Sequence, residues 1–131
     1  MYINATIVYG IGKSYSCSIE TTENNGVSFT PLDLTPYSIR FKVLGSPTAD
    51  AKVLVEHLIT QNTDLDTEGQ ITNAEIGEFA FAISADDTRK LGFGHFPIAL
   101  ELVDADTEEY VDTITQGKEG EEFNKINIVE V

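Results

Sequence analysis

The feature that most constrains this chain is a two-residue hydrophobic period that returns between turn-rich breaks. Tyr37, Ile39, Phe41 and Val43 alternate with Ser38, Arg40 and Lys42. Phe79, Phe81 and Ile83 alternate with Glu78, Ala80, Ala82 and Ser84, and Phe96, Ile98, Leu100 and Leu102 with Pro97, Ala99 and Glu101. Successive side chains of a strand point to opposite faces, so each stretch reads as a half-buried strand. Tyr15, Cys17 and Ile19 share one face in the same way, with three serines and Glu20 on the other. Val53 to Ile59 fits both periods at Leu54/Leu58 and Val55/Ile59, and its branched residues favour a strand. Thr107 to Gln116 and Phe123 to Val131 read as two more.

Between these stretches stand Asn24-Asn25-Gly26, Gly45-Ser46-Pro47, Asp104-Ala105-Asp106 and Gly117-Lys118-Glu119-Gly120. Gly and Asn accept positive φ and Asp caps local backbone, so each suits a turn. Seven to eight short strands in 131 residues predict an all-β, antiparallel sandwich. One domain over residues 1–131 can fill such a core without a metal or a disulfide. A single interruption is predicted near residues 85–91, where Ser84-Ala85-Asp86-Asp87 has the form of a capping box and Gly92 ends a short helical turn. Sorted by sequence, Leu32, Leu34, Tyr37, Ile39 and Phe41 would face inward from one sheet. Phe79, Phe81, Ile83, Phe96, Ile98 and Leu100 would face inward from the other, with Leu91 closing the end.

Charge excludes partners more sharply than it selects them. Eight Lys and Arg against 22 Asp and Glu give a net charge of −14. A surface so acidic repels phosphate backbones and anionic lipid headgroups, which argues against nucleic-acid and membrane partners. Residues 1–65 hold six acids and four bases, so nearly all the excess falls in the second half. No run of five like charges occurs there; the acids are interleaved with strand residues and turn glycines, as on the outside of a folded domain. An acidic mimic of nucleic acid would need them spaced along one helix or face, and they are not. No stretch approaches a membrane span, and Met1 to Thr6 lacks a basic signal-peptide start, so synthesis in a cytoplasm is expected. Asn4-Ala5-Thr6 matches a glycosylation acceptor, which matters only in a secreted chain.

Few residues are arranged for chemistry. His57 and His95 show no metal-ligand spacing, no Gly-x-Ser-x-Gly elbow exists, and Cys17 on an apolar strand face lacks the cationic surroundings of a reactive thiol. The chain is therefore expected not to be an enzyme and to need no cofactor. Ile11-Gly12-Lys13-Ser14 has the ending of a phosphate-binding loop, but Ser14 opens a strand where that motif needs a helix. Asp64 to Glu75 places acids at loop positions 1, 3 and 5, glycine at 6 and glutamate at 12, as in an EF-hand. Ile76 to Phe81 enters an alternating strand instead of the second helix, so the leading reading is a solvated, metal-free loop. The alternative is a calcium site made by Asp64, Asp66, Glu68, the Gln70 carbonyl and Glu75.

Two blocks carry a family resemblance. Leu32-Asp33-Leu34-Thr35-Pro36-Tyr37 and the strand to Val43 resemble a segment of small immunoglobulin-like β-sandwich domains in virion proteins of tailed bacteriophages, including the N-terminal domain of baseplate upper proteins. Gly77 to Leu91 is similar to the glycine-led strand and Ser/Thr-Ala-acid-acid-Thr-x-x-Leu turn of that family, and Gly94 to Asp104 to its following strand. Gly92-Phe93-Gly94 departs from the usual proline-glycine turn. The resemblance spans roughly residues 13 to 131 and implies an immunoglobulin-like fold. It also implies a structural or adaptor role in the tail, baseplate, neck or head decoration of a virion. Other phage structural proteins would be held through loops and strand edges, and self-association is expected because virions repeat their subunits.

Overall fold

The computed structural model describes residues 3–23, 28–46, 50–114 and 124–130. Within them the strands are β1 (Asn4–Val8), β2 (Gly12–Ser18), β3 (Glu20–Glu23), β4 (Ser28–Pro31), β5 (Tyr37–Leu44) and β6 (Val53–Ile59). They continue as β7 (Gly69–Asn73), β8 (Glu78–Ser84), β9 (Gly94–Asp104), β10 (Tyr110–Thr113) and β11 (Lys125–Val129). One helix, α1 (Ala85–Leu91), joins β8 to β9, and a single 3₁₀ turn, Ala74–Ile76, leads into β8.

The larger sheet runs β1-β11-β9-β5-β6 and is organised by β9, its longest strand. β5 lies antiparallel along one side of β9, with Phe41 opposite Leu100. The other side is shared: β11 covers the first half of β9 and β10 the second. β1 adds to β11 in parallel, Ile7 opposite Ile128. The smaller sheet is β2-β8-β7, and β3 with β4 forms a separate hairpin. In immunoglobulin order, β2-β8-β7 takes the B, E and D positions and β5, β9 and β11 take C, F and G, with β6 beyond C. The protein is an immunoglobulin-like β-sandwich. One strand departs from the constant-type arrangement: β1, instead of flanking B in the smaller sheet, runs along the G position of the larger one.

A polar cluster centred on the buried Asn127 fixes that position. Asn127 on β11 donates to the Asn4 side chain (2.7 Å) and the Ala5 carbonyl (3.1 Å) of β1, and its Oδ1 meets Nδ1 of His95 on β9. Satisfying a buried amide on three strands at once selects one register, since a slip would leave its polar atoms unpaired.

The core replaces the usual hallmarks of this fold with aromatic stacking. Immunoglobulin domains pack a Trp of strand C on a disulfide between B and F. Here Phe41 on β5 is fully buried against Phe81 of the opposite sheet, ring centroids 4.8 Å apart. His57 stacks on Phe41 at 6.1 Å and Tyr15 on Phe81 at 5.6 Å, giving a row of four rings across the sandwich. Cys17 on β2 remains a free thiol, while the inward residues of β9 are Ile98, Leu100 and Leu102.

Two expectations are corrected. The strands exceed seven to eight because β1, β3, β4 and β7 add to the alternating set; all four have only four or five residues, and β7 begins inside the acidic loop. The apolar faces also divide differently: Phe96, Ile98 and Leu100 do not join Phe79, Phe81 and Ile83. α1 carries the chain from one sheet to the other, so β9 pairs with β5 and faces β8 across the core. The strand expected over Thr107 to Gln116 is β10, four residues long within the described part. β6 and α1 have the expected bounds, and Leu91 packs against the core. The turns at Asn24-Asn25-Gly26 and Gly117 to Gly120, and Pro47, lie outside the described residues.

Candidate interaction surface on the open β2 edge

Among the described residues nothing pairs with the outer edge of β2. Which of its amides face outward follows from the ladder. Ile19 N–H donates to the Gly77 carbonyl (3.0 Å), and β2 runs in unbroken antiparallel register with β8 from Gly12/Ser84 to Ser18/Glu78. Bonded and non-bonded pairs alternate in such a ladder, so Cys17, Tyr15 and Lys13 bond to β8. Ser14, Ser16 and Ser18 therefore turn their N–H and C=O groups away from the sheet.

Edges of this kind are templates for strand addition, and proteins usually blunt them with charge, proline, bulges or brevity. β6 has Glu56 and His57, and β7 has five residues and a register shift between Gln70 and Asn73. β2 has seven residues and regular register, with Lys13 its only charge.

Beside this edge the sandwich is open. Ile3, Asn4 and Ala5 face Tyr15, Cys17 and Phe81 across a groove of about 400 Å³, which adjoins a second hollow of about 320 Å³ at Ser16, Cys17, Ser18 and Phe79. The Tyr15 hydroxyl crosses from β2 to donate to the Thr6 carbonyl of β1. Burial pushes the Cys17 thiol up to about 11, so it remains protonated at neutral pH and serves as a small apolar surface in the groove. An extended segment laid here would find outward amides on β2 and an apolar floor.

The other candidate residues are placed as follows. Asp64 and Asp66 lie in the β6–β7 connection, where Asp64 Oδ1 accepts from Asp66 N (2.8 Å) and Thr67 N (3.3 Å). Gln70 is in β7 and donates through Nε2 to the Gln61 carbonyl (3.2 Å). Glu75 sits in the 3₁₀ turn beyond the far end of β7, roughly 16 Å of strand from Gly69. Among the described residues no group of three or more His, Cys, Asp or Glu side chains is gathered as for a metal ion. The EF-hand spacing thus falls on a turn, a strand and a second turn. Gly12 and Lys13 open β2, with Ser14 inside it.

The histidines act as ties. His95 belongs to the Asn127 cluster. His57 Nε2 contacts Asp87 Oδ2 at 2.9 Å, joining β6 to α1. Asp87 also completes the capping box: its Oδ2 accepts from Ser84 N, and Ser84 Oγ accepts from Asp87 N, both at 3.1 Å. Burial works to raise the Asp87 carboxyl, but hydrogen bonds from His57 and Ser84 outweigh it and hold the group below its usual value. A carboxyl lowered in the folded state stabilises above its unfolded pKa and ceases to do so as pH falls through the folded one. Asp87→Asn is expected to destabilise at neutral pH, and the gap from wild type in urea unfolding should close below about pH 4. A gap constant with pH would show that the carboxylate charge is not what holds α1 to β6.

Sequence reading saw Ser14, Ser16 and Ser18 only as an outward polar face. The available signal was the run itself, a seven-residue strand without acid or proline; that its outer edge stays open depends on where β1 goes.

No protein-family model and no curated protein matches the chain. Similar solved structures include the ZIG-8–RIG-5 IG1–IG1 heterodimer, at 12% identity and a TM-score of 0.43, covering 99% of this chain and 84% of that one. The ZIG-8 IG1 homodimer matches at 11% identity and a TM-score of 0.42, covering 99% of this chain and 81% of that one.

Proposed function

We propose that this chain is a non-enzymatic attachment protein of a tailed-phage particle, made in the host cytoplasm and built into the virion. It accepts an extended segment of another virion subunit along the outer edge of β2. The observation that carries this reading is the row of outward amides at Ser14, Ser16 and Ser18 beside an apolar groove. Main-chain hydrogen bonds would supply affinity, and the hollows around Tyr15 and Cys17 would select alternate side chains of the guest. The resemblance of residues 32–43 and 77–91 to virion sandwich domains supports the phage setting.

Ser16→Pro tests the edge. The Ser16 N–H points outward, so proline removes a donor for the guest without breaking a bond to β8, a placement tolerated in edge strands. Immobilised wild-type protein is expected to retain a virion subunit from a lysate of infected cells, identified by mass spectrometry. The purified subunit should bind Ser16→Pro about tenfold more weakly, with the melting temperature unchanged. Equal binding would remove the β2 edge as the contact, and retention of host proteins alone would remove the phage reading.

A further inference from the structure

The two ends of the sandwich carry unlike surfaces. β9 runs between them, so they stand roughly 35 Å apart. At the α1 end, Tyr9 of the β1–β2 turn meets Phe93 of the α1–β9 connection, ring centroids 4.8 Å apart, and Ile11 belongs to the same turn as Tyr9. Ile11 is 66% exposed and Phe93 59%, with Val129 beside them at the end of β11. Tyr9 N–H donates to the Val129 carbonyl and Arg89 to the Gly10 carbonyl, so these turns form one continuous surface. Lys13, Lys52, Arg89 and Lys90 are at this end with Asp50, Asp86, Asp87 and Glu130; Asp86 is paired with Arg89 at 2.9 Å and Asp87 with His57. In a chain of net charge −14 this end is close to neutral.

The opposite end gathers the acids. Asp104, Asp106, Glu108 and Glu109 occupy the β9–β10 turn. Ala105 N–H donates to the Pro36 carbonyl, which places Asp33 of the preceding loop nearby. Apolar groups are exposed here too, with Tyr110 at 57% and Ile76 at 43%. Among the described residues the cation facing this turn is Arg40, which donates to the Glu108 carbonyl at 3.1 Å.

We propose that copies of this chain associate end to end, the Tyr9–Ile11–Phe93 end of one copy, with Arg89 and Lys90, seating on the acidic β9–β10 end of the next. Burying three large side chains drives the contact, and the two cations set its direction, because reversing either copy brings like ends together. A contact between unlike surfaces at opposite ends is heterologous, so it propagates as a stack or closes as a ring. Net repulsion between copies does not forbid it: at physiological salt the Debye length is about 8 Å, so charge at the far ends is screened while the contact is not. The inference is independent of the β2 edge, and Ser16→Pro is expected to leave it unchanged.

Sedimentation velocity over a concentration series at physiological salt tests it. Wild type is expected to show species beyond the monomer that grow with concentration. Phe93→Asp spoils one end, as does Ile11→Asp if the first variant melts low; the pair Asp106→Lys and Glu109→Lys spoils the other. Each variant alone should remain monomeric with an unchanged melting temperature. A mixture of the two keeps one good end on each partner, so it should form heterodimers and stop there. A wild type monomeric throughout would overturn the proposal. So would a variant that associates as wild type does, since with one end spoiled that requires like ends meeting across a two-fold or another surface altogether, and so would a mixture that fails to dimerise.

Discussion

Phe41→Ala is expected to cost about 3–5 kcal/mol, the largest loss of any single side-chain truncation in this chain. Phe41 is fully buried and touches both sheets: it stacks on His57 within its own and on Phe81 of the other. Truncation removes the transfer free energy of a benzyl group and leaves a cavity between two hydrogen-bonded sheets that cannot close onto it. No disulfide supplements the core, since Cys17 is free. Against a total stability of roughly 5–15 kcal/mol, the loss would leave a marginal protein. Equilibrium urea unfolding checks it, with exposed Phe93→Ala as a control that should change stability by less than about 0.5 kcal/mol. A loss below about 1 kcal/mol for Phe41→Ala would mean that the aromatic row is not the centre of the core.

Gly69→Ala is expected to cost about 3 kcal/mol or more, and equally with calcium or with chelator. Gly69 has a φ of +110°, and a Cβ built there would collide with the Ala80 carbonyl oxygen and stand 2.8 Å from the Phe81 Cα. The opposing atoms are backbone of the central strand of the smaller sheet, so nothing can swing aside. Both burdens come from the close approach of β7 to β8 and neither involves a metal. A melting temperature for the variant within a few degrees of wild type would contradict the close approach. A loss that calcium repairs would instead support the calcium reading of Asp64 to Glu75.

This glycine shows where sequence reading reached its limit. Position 6 of an EF-hand loop and the first residue of a strand pressed against a neighbour both require glycine, for the same reason of backbone conformation. Spacing cannot distinguish them; the calcium and chelator comparison can. Cys17 shows the reverse, because its alternation with Tyr15 and Ile19 predicts a packed, unreactive thiol, and burial holds it protonated. α1 was legible to the residue since a capping box is a contact between positions three apart.

The sequence by itself determined the strands with clean alternation, the short capped helix, the sandwich class and an acidity carried by turns and outward faces. Each depends on which way neighbouring side chains point or on turn chemistry, properties written in consecutive residues. Only the tertiary structure decided that β9 pairs with β5 rather than β8, that β1 follows β11 and leaves β2 open, and that Tyr9 and Phe93 meet at one end while the β9–β10 acids mark the other. Those outcomes depend on hydrogen bonds and packing between residues tens of positions apart. A period-two pattern is the same whichever partner a strand takes.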